Sequence, residues 1–442
     1  GGVAATSVTL TANTMALGAT ANAIVAGTGP VNLSTKTAGT NITIGAGGTG
    51  LGLSSTELNT ISTSGTLTIA ATGAGTITAD GPVSLTVPTG GLTLNTSGGN
   101  IAFGANNVGS VGALVFNTTN GAATTGQITG SGILSSSTAQ LLTATAATGI
   151  NLTGASTVQT VSLTNTQAGN IIYTGSSVLA ANTLTVSGAT NTVAGTTGTF
   201  TATETTGNLA VGAADILTKS GTVNLTASGA GKSISSLSGS NIQTNVTGVG
   251  AAVNLTADNM SLAGSTTTGT GVVTLTSSTA GQIINVGATA TDSGTVLGLS
   301  DLELNTIIST GGVTVGTAAN TGGIVIVGSA NPTGVTGSVG AFSLTTGGAI
   351  TSTGGTLGTG STAIDLSLSA VTGIGALPAS PIVIGTVTGS LSAINGGAGG
   401  SGNLFLSTGP ITLGGAATLQ ENVNLGTLRI DASGAITIGN NI

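Results

Sequence analysis

The residues able to do acid–base, nucleophilic or metal chemistry are few. The chain has eleven carboxylates, four cations (Lys36, Lys219, Lys232 and Arg429), and neither His nor Cys in 442 residues. The carboxylates are Glu57, Asp80, Glu204, Asp215, Asp258, Asp292, Asp301, Glu303, Asp365, Glu421 and Asp431. Asp301 and Glu303 stand two apart, a spacing that on a strand would put a general acid and base on one face. Their context points elsewhere. Ser300-x-x-Glu303 repeats Ser54-x-x-Glu57, and both match the capping box, in which each side chain satisfies a backbone donor of the other residue. The matching block carries Ser55 where the second has Asp301, so the pair reads as structural. Leu58 and Ile61 follow at the spacing of one helical face. The expectation is a short helical corner built on Ser54, Glu57 and Leu58, and again on Ser300, Glu303 and Leu304.

Other chemistries fare no better. Calcium solenoids carry Gly-Gly-x-Gly-x-Asp repeats, whereas the Gly clusters here lack the Asp, leaving Asp258 and Asp292 as isolated candidates. Glycoside hydrolysis needs two carboxylates across a cleft, and no acidic cluster marks one. Thr-x-Thr triplets such as Thr9-Leu10-Thr11 suit an ice-binding array but follow no fixed spacing. Four scattered cations cannot neutralise a run of phosphates, which excludes a nucleic-acid partner. No apolar run reaches the roughly 20 residues of a membrane helix, and aromatics at 1% are too few for the girdles of a membrane barrel. The reading is non-enzymatic, with no catalytic residue, metal, cofactor or membrane span.

The elements that hold these residues are short strands. Triplets of the form apolar-x-apolar recur from Val8-Thr9-Leu10 through Val31-Asn32-Leu33, Leu92-Thr93-Leu94 and Val223-Asn224-Leu225 to Leu404-Phe405-Leu406 and Ile436-Thr437-Ile438. In a strand the first and third residues share a face, so each triplet sends two apolar groups inward and its middle residue outward. Gly-rich corners such as Gly45 to Gly50 and Gly396 to Gly402 permit positive φ at bends. Pro30, Pro82 and Pro410 each stand just before a strand, where a sheet tolerates a missing donor. A hydrophobic share of 39% with few rings suits a long thin core, and a mean hydropathy of +0.51 with net charge −7 excludes disorder. The fold class is all-β: a right-handed parallel β-helix, or β-solenoid, running as one elongated rod over residues 1–442. With two or three strands per coil of roughly 20 residues, about 22 coils would stack over something on the order of 100 Å.

A longer duplication supports this. Leu51-Gly-Leu-Ser-Ser-Thr-Glu-Leu-Asn-Thr-Ile61 reappears as Leu297-Gly-Leu-Ser-Asp-Leu-Glu-Leu-Asn-Thr-Ile307. With the Gly-Thr-Leu-Thr-Ile that ends at Ile69 and the Gly-Gly-Val-Thr-Val that ends at Val315, these blocks resemble the repeat region of filamentous haemagglutinin-like exoproteins, the adhesins of two-partner secretion. That resemblance implies a right-handed β-helix and a role in attachment, biofilm or surface filaments. The family's amino-terminal secretion domain bears an Asn-Pro-Asn-type motif, whereas the nearest string here begins at Asn331. A repeat-region segment, or a relative exported by another route, is the consequence.

The sequence therefore predicts a secreted or cell-surface bacterial structural protein, either a filament or sheath subunit or the stalk of an adhesin. The alternative is a carbohydrate- or host-binding adhesin module, with Tyr173 and Phe200 as its best surface candidates. An ice-binding solenoid or a polysaccharide-active enzyme is the lesser alternative. Sequons at Asn32, Asn151, Asn224 and Asn254 put an outward Asn on strands; they offer glycan attachment, or an Asn row bonded rung to rung. The opening Gly1-Gly2-Val3-Ala4 carries no charged leader, consistent with a mature secreted product or a chain soluble without a signal. Both ends read as ordinary repeat sequence, from which head-to-tail self-association into filaments is expected, with cell-surface glycans as the other possible partner.

Overall fold

The computed structural model describes residues 6–18, 20–176, 183–191, 198–245, 249–335, 341–358, 365–375, 380–385, 391–396, 403–408, 411–413, 418–421, 428–432 and 436–438. The Gly-rich corner beyond Gly396, Pro410 and residues 439–442 lie outside this set. The protein is all-β, 50% strand and 2% helix, and its strands stack in parallel as a solenoid. Contacts divide the chain into two units, Gly1–Gly221 and Thr222–Ile442.

In the first unit each regular coil has three sides. Strands Leu67–Ala71, Leu92–Thr96, Leu114–Asn117, Leu141–Ala146 and Thr160–Asn165 stack along one side. Ile77–Ala79, Ile101–Ala102, Ile128–Gly130, Ile150–Ser156, Ile171–Gly175 and Phe200–Glu204 form the second, and Val83–Ser84, Val108–Ser110 and Leu134–Ser136 the third. Val83, Leu92 and Ile101 follow one another at nine-residue steps in the sequence, and that step is the distance from one side to the next. In the second unit one ladder runs through Val223–Ala227, Val253–Thr256, Val273–Thr276, Val313–Val315, Ala341–Thr346, Asp365–Ala370 and Leu391–Asn395.

The alternation read from the sequence sets this register. Val31, Leu33, Leu92, Leu94, Val223 and Leu225 are fully buried, while Asn32, Thr93 and Asn224 between them are partly exposed. Stacking like on like puts each Leu, Ile or Val over another, and burying each such side chain stabilises the fold by about 1.5–3 kcal/mol. A one-residue slip would turn every one of them outward. Phe405 departs from the pattern: it is the middle residue of its triplet yet only 4% exposed, because it packs against Gly375, whose φ of +80° and missing side chain leave room.

Coil length differs from the expected 20 residues. Ordinary coils run from 19 positions, Leu142 to Val161, up to 30, Val223 to Val253. Two coils are longer: Val31 pairs with Leu67, 36 positions on, and Val273 with Val313, 40 on. Both contain the duplicated block.

Tyr173 and Phe200, the candidates for a specialised binding surface, are both fully buried. Tyr173 is in register with Leu152 on one side and Ala202 on the other, and the small Ala202 makes space for the ring. Burial pushes its hydroxyl well above the ordinary tyrosine range. Phe103 and Phe116 pack at 4.9 Å between centroids, beside Gly130, where a Cβ would come within 2.9 Å of Phe103. The rings fill the tube where glycine and alanine leave room, and neither sequence candidate lies at the surface.

Candidate functional site

Each long coil makes the same detour. In the first unit Ile42–Gly45 is followed, after residues 46–50, by Leu51–Ser54, which pairs with it in parallel. Parallel neighbours ordinarily need a connection of a dozen residues or more. The short return is possible because Gly45, Gly47 and Gly50 take φ of +113°, +83° and +83°, and because Asp80 accepts from Ala46 N at 2.8 Å and Gly48 N at 2.7 Å. Ile42–Gly45 lies between Leu51–Ser54 and Ile77–Ala79, so the later strand has doubled back. In the second unit Ile283–Val286 and Val296–Leu299 repeat this, with Asp292 accepting from Gly298 N at 2.8 Å inside the connection.

After the doubled-back strand comes the helical corner. Ser55–Leu58 and Asp301–Leu304 are single helical turns with both halves of the capping box formed. Ser54 and Ser300 have nearly the same backbone, φ −70° with ψ 154° and φ −69° with ψ 156°. Glu57 Oε2 accepts from Ser54 N at 2.9 Å, and Glu303 Oε2 from Ser300 N at 2.9 Å. Leu58 and Leu304 are buried, anchoring each turn to the core.

Each corner also binds its neighbours. Glu57 Oε1 accepts from Leu17 N at 3.3 Å and Glu303 Oε1 from Leu262 N at 3.2 Å, both in earlier coils. Asn59 Oδ1 accepts from Thr86 N at 2.8 Å and Asn305 Oδ1 from Thr333 N at 2.7 Å, both in later coils. The Leu-Ser-x-x-Glu-Leu-Asn motif is therefore a clamp across three layers. Burial pushes the Glu57 carboxyl up, but the Ser54 backbone, the Ser54 hydroxyl and Leu17 N–H together outweigh it and hold the group below its usual value.

The Asp301–Glu303 pair forms no shared proton site. Asp301 Oδ1 accepts from Asn331 N at 2.7 Å, while Glu303 is engaged by Ser300 and Leu262. Ser55 does the corresponding work in the first block, accepting from Ser84 N at 3.1 Å. The exposed positions diverge between copies. Leu302, 79% exposed, stands where the first block has exposed Thr56, and Ile308 replaces Ser62.

The duplication is longer than the eleven-residue block. Val8-Thr-Leu-Thr-Ala-Asn13 aligns with Val253-Asn-Leu-Thr-Ala-Asp258, which puts the chain's two methionines, Met15 and Met260, at equivalent places. Asn13 Oδ1 accepts from Lys36 N and Thr37 N, both at 2.9 Å. Asp258, 1% exposed, accepts from Thr279 N at 2.8 Å, Thr279 Oγ1 at 2.7 Å, Ser278 Oγ at 3.0 Å and Gly231 N at 3.0 Å. Four donors fill the acceptor sites of its carboxylate, so Asp258 has no lone pair left for a cation. Asp292 holds Gly298 N and Met260 N, and the described residues contain no group of three or more His, Cys, Asp or Glu able to hold a metal ion. The methionine pair was the available signal for this extension.

Corner chemistry is a second feature the sequence reading missed. Thr96, Thr218 and Thr268 are buried, and each hydroxyl donates to the carbonyl three residues on, at Gly99, Gly221 and Gly271. Fully buried Glu204 serves the same kind of corner as an acceptor, from Thr206 N at 3.0 Å and Gly207 N at 2.9 Å. The recurrent Thr-x-x-Gly string was its trace in the sequence.

On the outward faces, Asn254 Nδ2 donates to Asn224 Oδ1 at 2.8 Å across adjacent rungs, the side-chain ladder that Asn rows form. Asn32 Nδ2 donates to Thr9 Oγ1 at 3.4 Å, and Asn151 is exposed beside a shallow hollow of about 300 Å³ lined by Thr129, Asn170 and Ile172. No helix among the described residues is long and apolar enough to cross a membrane. No known family, curated protein or solved structure matches the chain.

Proposed function

We propose that the protein is a structural element of a bacterial cell surface: a right-handed β-helix that runs as one elongated rod, serving as a filament or sheath subunit or as an adhesin stalk. The observation that carries this reading is where the polar chemistry goes. Asp80, Asp258, Asp292, Asp301, Glu57, Glu204 and Glu303 all accept backbone N–H groups at corners and detours of the solenoid. Side chains that an enzyme would aim at a substrate are here spent on holding coils together. The outward strand positions are mainly neutral Thr, Ser and Asn, with exposed apolar side chains such as Leu302, Val249 and Leu237 scattered between the strands. In the filament form of this reading, copies stack end to end.

Negative-stain imaging of the purified chain tests it. Straight rods, discrete or joined into fibres, are the expected result, and fibres select the filament form. Compact or irregular particles overturn the proposal.

A further inference from the structure

The duplicated detours interrupt the backbone ladder, and the two interruptions are bridged differently. Strand Asn259–Leu262 pairs with Ser233–Ser236 on one edge. On its other edge, beside the doubled-back Val296–Leu299, no β-ladder forms. Met260 N donates instead to Asp292 Oδ2 at 3.0 Å, and Leu262 N to Glu303 Oε1 at 3.2 Å. Alternate N–H groups on one strand edge stand about 6.6–6.8 Å apart, so this seam is held by two carboxylates side by side. The equivalent seam in the first unit has one, Glu57 on Leu17 N.

We propose that the seam between Asn259–Leu262 and Val296–Leu299 is a pH-responsive joint, in which Asp292 and Glu303 replace a β-ladder and which tightens on mild acidification and loosens at neutral pH. Two like charges on one strand edge repel each other, and protonating Asp292 removes the repulsion while leaving an oxygen acceptor in place. The charged groups on the packed elements do not cancel it. Glu303 and Asp301 lie on the helical turn, with Asp301 committed to Asn331 N, and Asp258 precedes the strand, committed to Gly231, Ser278 and Thr279. Lys232 heads the preceding strand and meets Asp258 N and Asn259 N through its backbone carbonyl.

The titration of Asp292 agrees. Burial pushes it up to about 6, against the pull of the Gly298 and Met260 N–H donors, and Glu303 adds to the rise. A folded-state value above the unfolded one means that the native seam gains stability as pH falls through about 6 and loses it as pH rises.

Hydrogen exchange on the intact chain tests the joint. Protection factors, corrected for intrinsic rates, are compared at about pH 5 and about pH 7.5 for peptides containing Met260 and Leu262, with the peptide containing Leu17 as internal control. Because Asp292 is half-exposed, the expected gain in protection at the lower pH is several-fold, about threefold to tenfold, with no such gain at Leu17. Asp292→Asn removes the titrating group and is expected to flatten the pH dependence whatever it does to absolute protection, whereas Glu303→Gln removes only the smaller contribution to the rise and is expected to reduce the pH dependence in part. Two variants guard against one failing to fold. Equal pH ratios at Leu262 and Leu17, a ratio undiminished in folded Asp292→Asn, or a ratio that rises in Glu303→Gln, overturn the proposal.

Discussion

Removing the Asp258 carboxylate is the most direct test of whether buried acids hold the coils together. In Asp258→Ala the two hydroxyl donors, Thr279 Oγ1 and Ser278 Oγ, can rotate to water, but the backbone N–H groups of Gly231 and Thr279 cannot. A hydrogen bond to a charged group contributes about 1.5–3 kcal/mol, giving about 3–6 kcal/mol for the two. Gly231 and Thr279 are exposed, so water recovers part of this and the expected loss is about 3 kcal/mol. For a unit of this size that corresponds to a fall of about 6–12 °C in Tm. Asp258→Asn keeps the acceptor for Thr279 N and turns an amide toward Gly231 N, costing one bond and about 3 °C. The first unit supplies the natural precedent, because Asn13 holds Lys36 N and Thr37 N at the same place. Thermal melting followed by circular dichroism reads both variants. An alanine variant that melts within about 1 °C of the parent, or an asparagine variant as damaged as the alanine one, would refute the role assigned to Asp258.

Four other outcomes follow from the same geometry. Leu225→Asp buries an unpaired charge and is expected to unfold the second unit, whereas Asn224→Asp on the outward face is mild; equal melting temperatures would reverse the inward and outward assignment. Gly298→Ala would put a Cβ 2.2 Å from the Thr291 carbonyl carbon, an overpacking that costs about 1–3 kcal/mol, and an unchanged denaturation midpoint would contradict the tight return. Since the Glu57 carboxyl is held below its ordinary value, its contribution is full above that value and is lost as pH falls through the depressed one. Acid titration of exchange at Leu17 should therefore show loss of protection at low pH, opposite in sense to the seam at Leu262. Trypsin has only Lys36, Lys219, Lys232 and Arg429 to attack, and digestion of the folded chain is expected to take hours; prompt cleavage at all four would show that the coils open readily.

The architecture was legible because a period-two pattern fixes which residues face inward, and the pairing of Leu92 with Leu114 or Val223 with Val253 needs nothing more. The capping boxes were legible for a similar reason: Ser-x-x-Glu is a local motif whose partners lie three residues apart. What stayed hidden depends on residues far apart in sequence. Nothing near Glu303 announces Leu262 N, and nothing near Asp258 announces Thr279 N, because those contacts exist only once coils are stacked. Coil length was misjudged for the same reason. The nine-residue step from Val83 to Leu92 to Ile101 is one side to the next, and with three sides and their corners a coil exceeds 20 positions, as Ile101 shows by pairing with Ile128, 27 on. Tyr173 and Phe200 were misplaced because ring size suggested a surface patch, while the deciding fact was the small residue stacked beneath, Ala202 under Tyr173.

The scarcity of charge and the placement of the few acids have one physical explanation. A parallel ladder satisfies its backbone donors only where each coil finds another in register, and any detour strands N–H groups at its margin. Neutral hydroxyls serve several ordinary corners, as Thr96, Thr218 and Thr268 show, while Glu204 serves another. Where the chain doubles back, several donors converge on one place, and a carboxylate, with two oxygens and no donor of its own, answers them with one side chain. Asp80 takes Ala46 N and Gly48 N, and Asp292 takes Gly298 N and Met260 N. More acids would add desolvation cost without adding partners; among the described residues carboxylates serve both detours, and Glu204 and Asp258 are buried acids at other corners. The two copies of the block agree at Ser, Glu, Leu and Asn, which clamp the layers, and where they differ at Ser55 and Asp301 each still accepts a backbone N–H of a later coil, from Ser84 and Asn331.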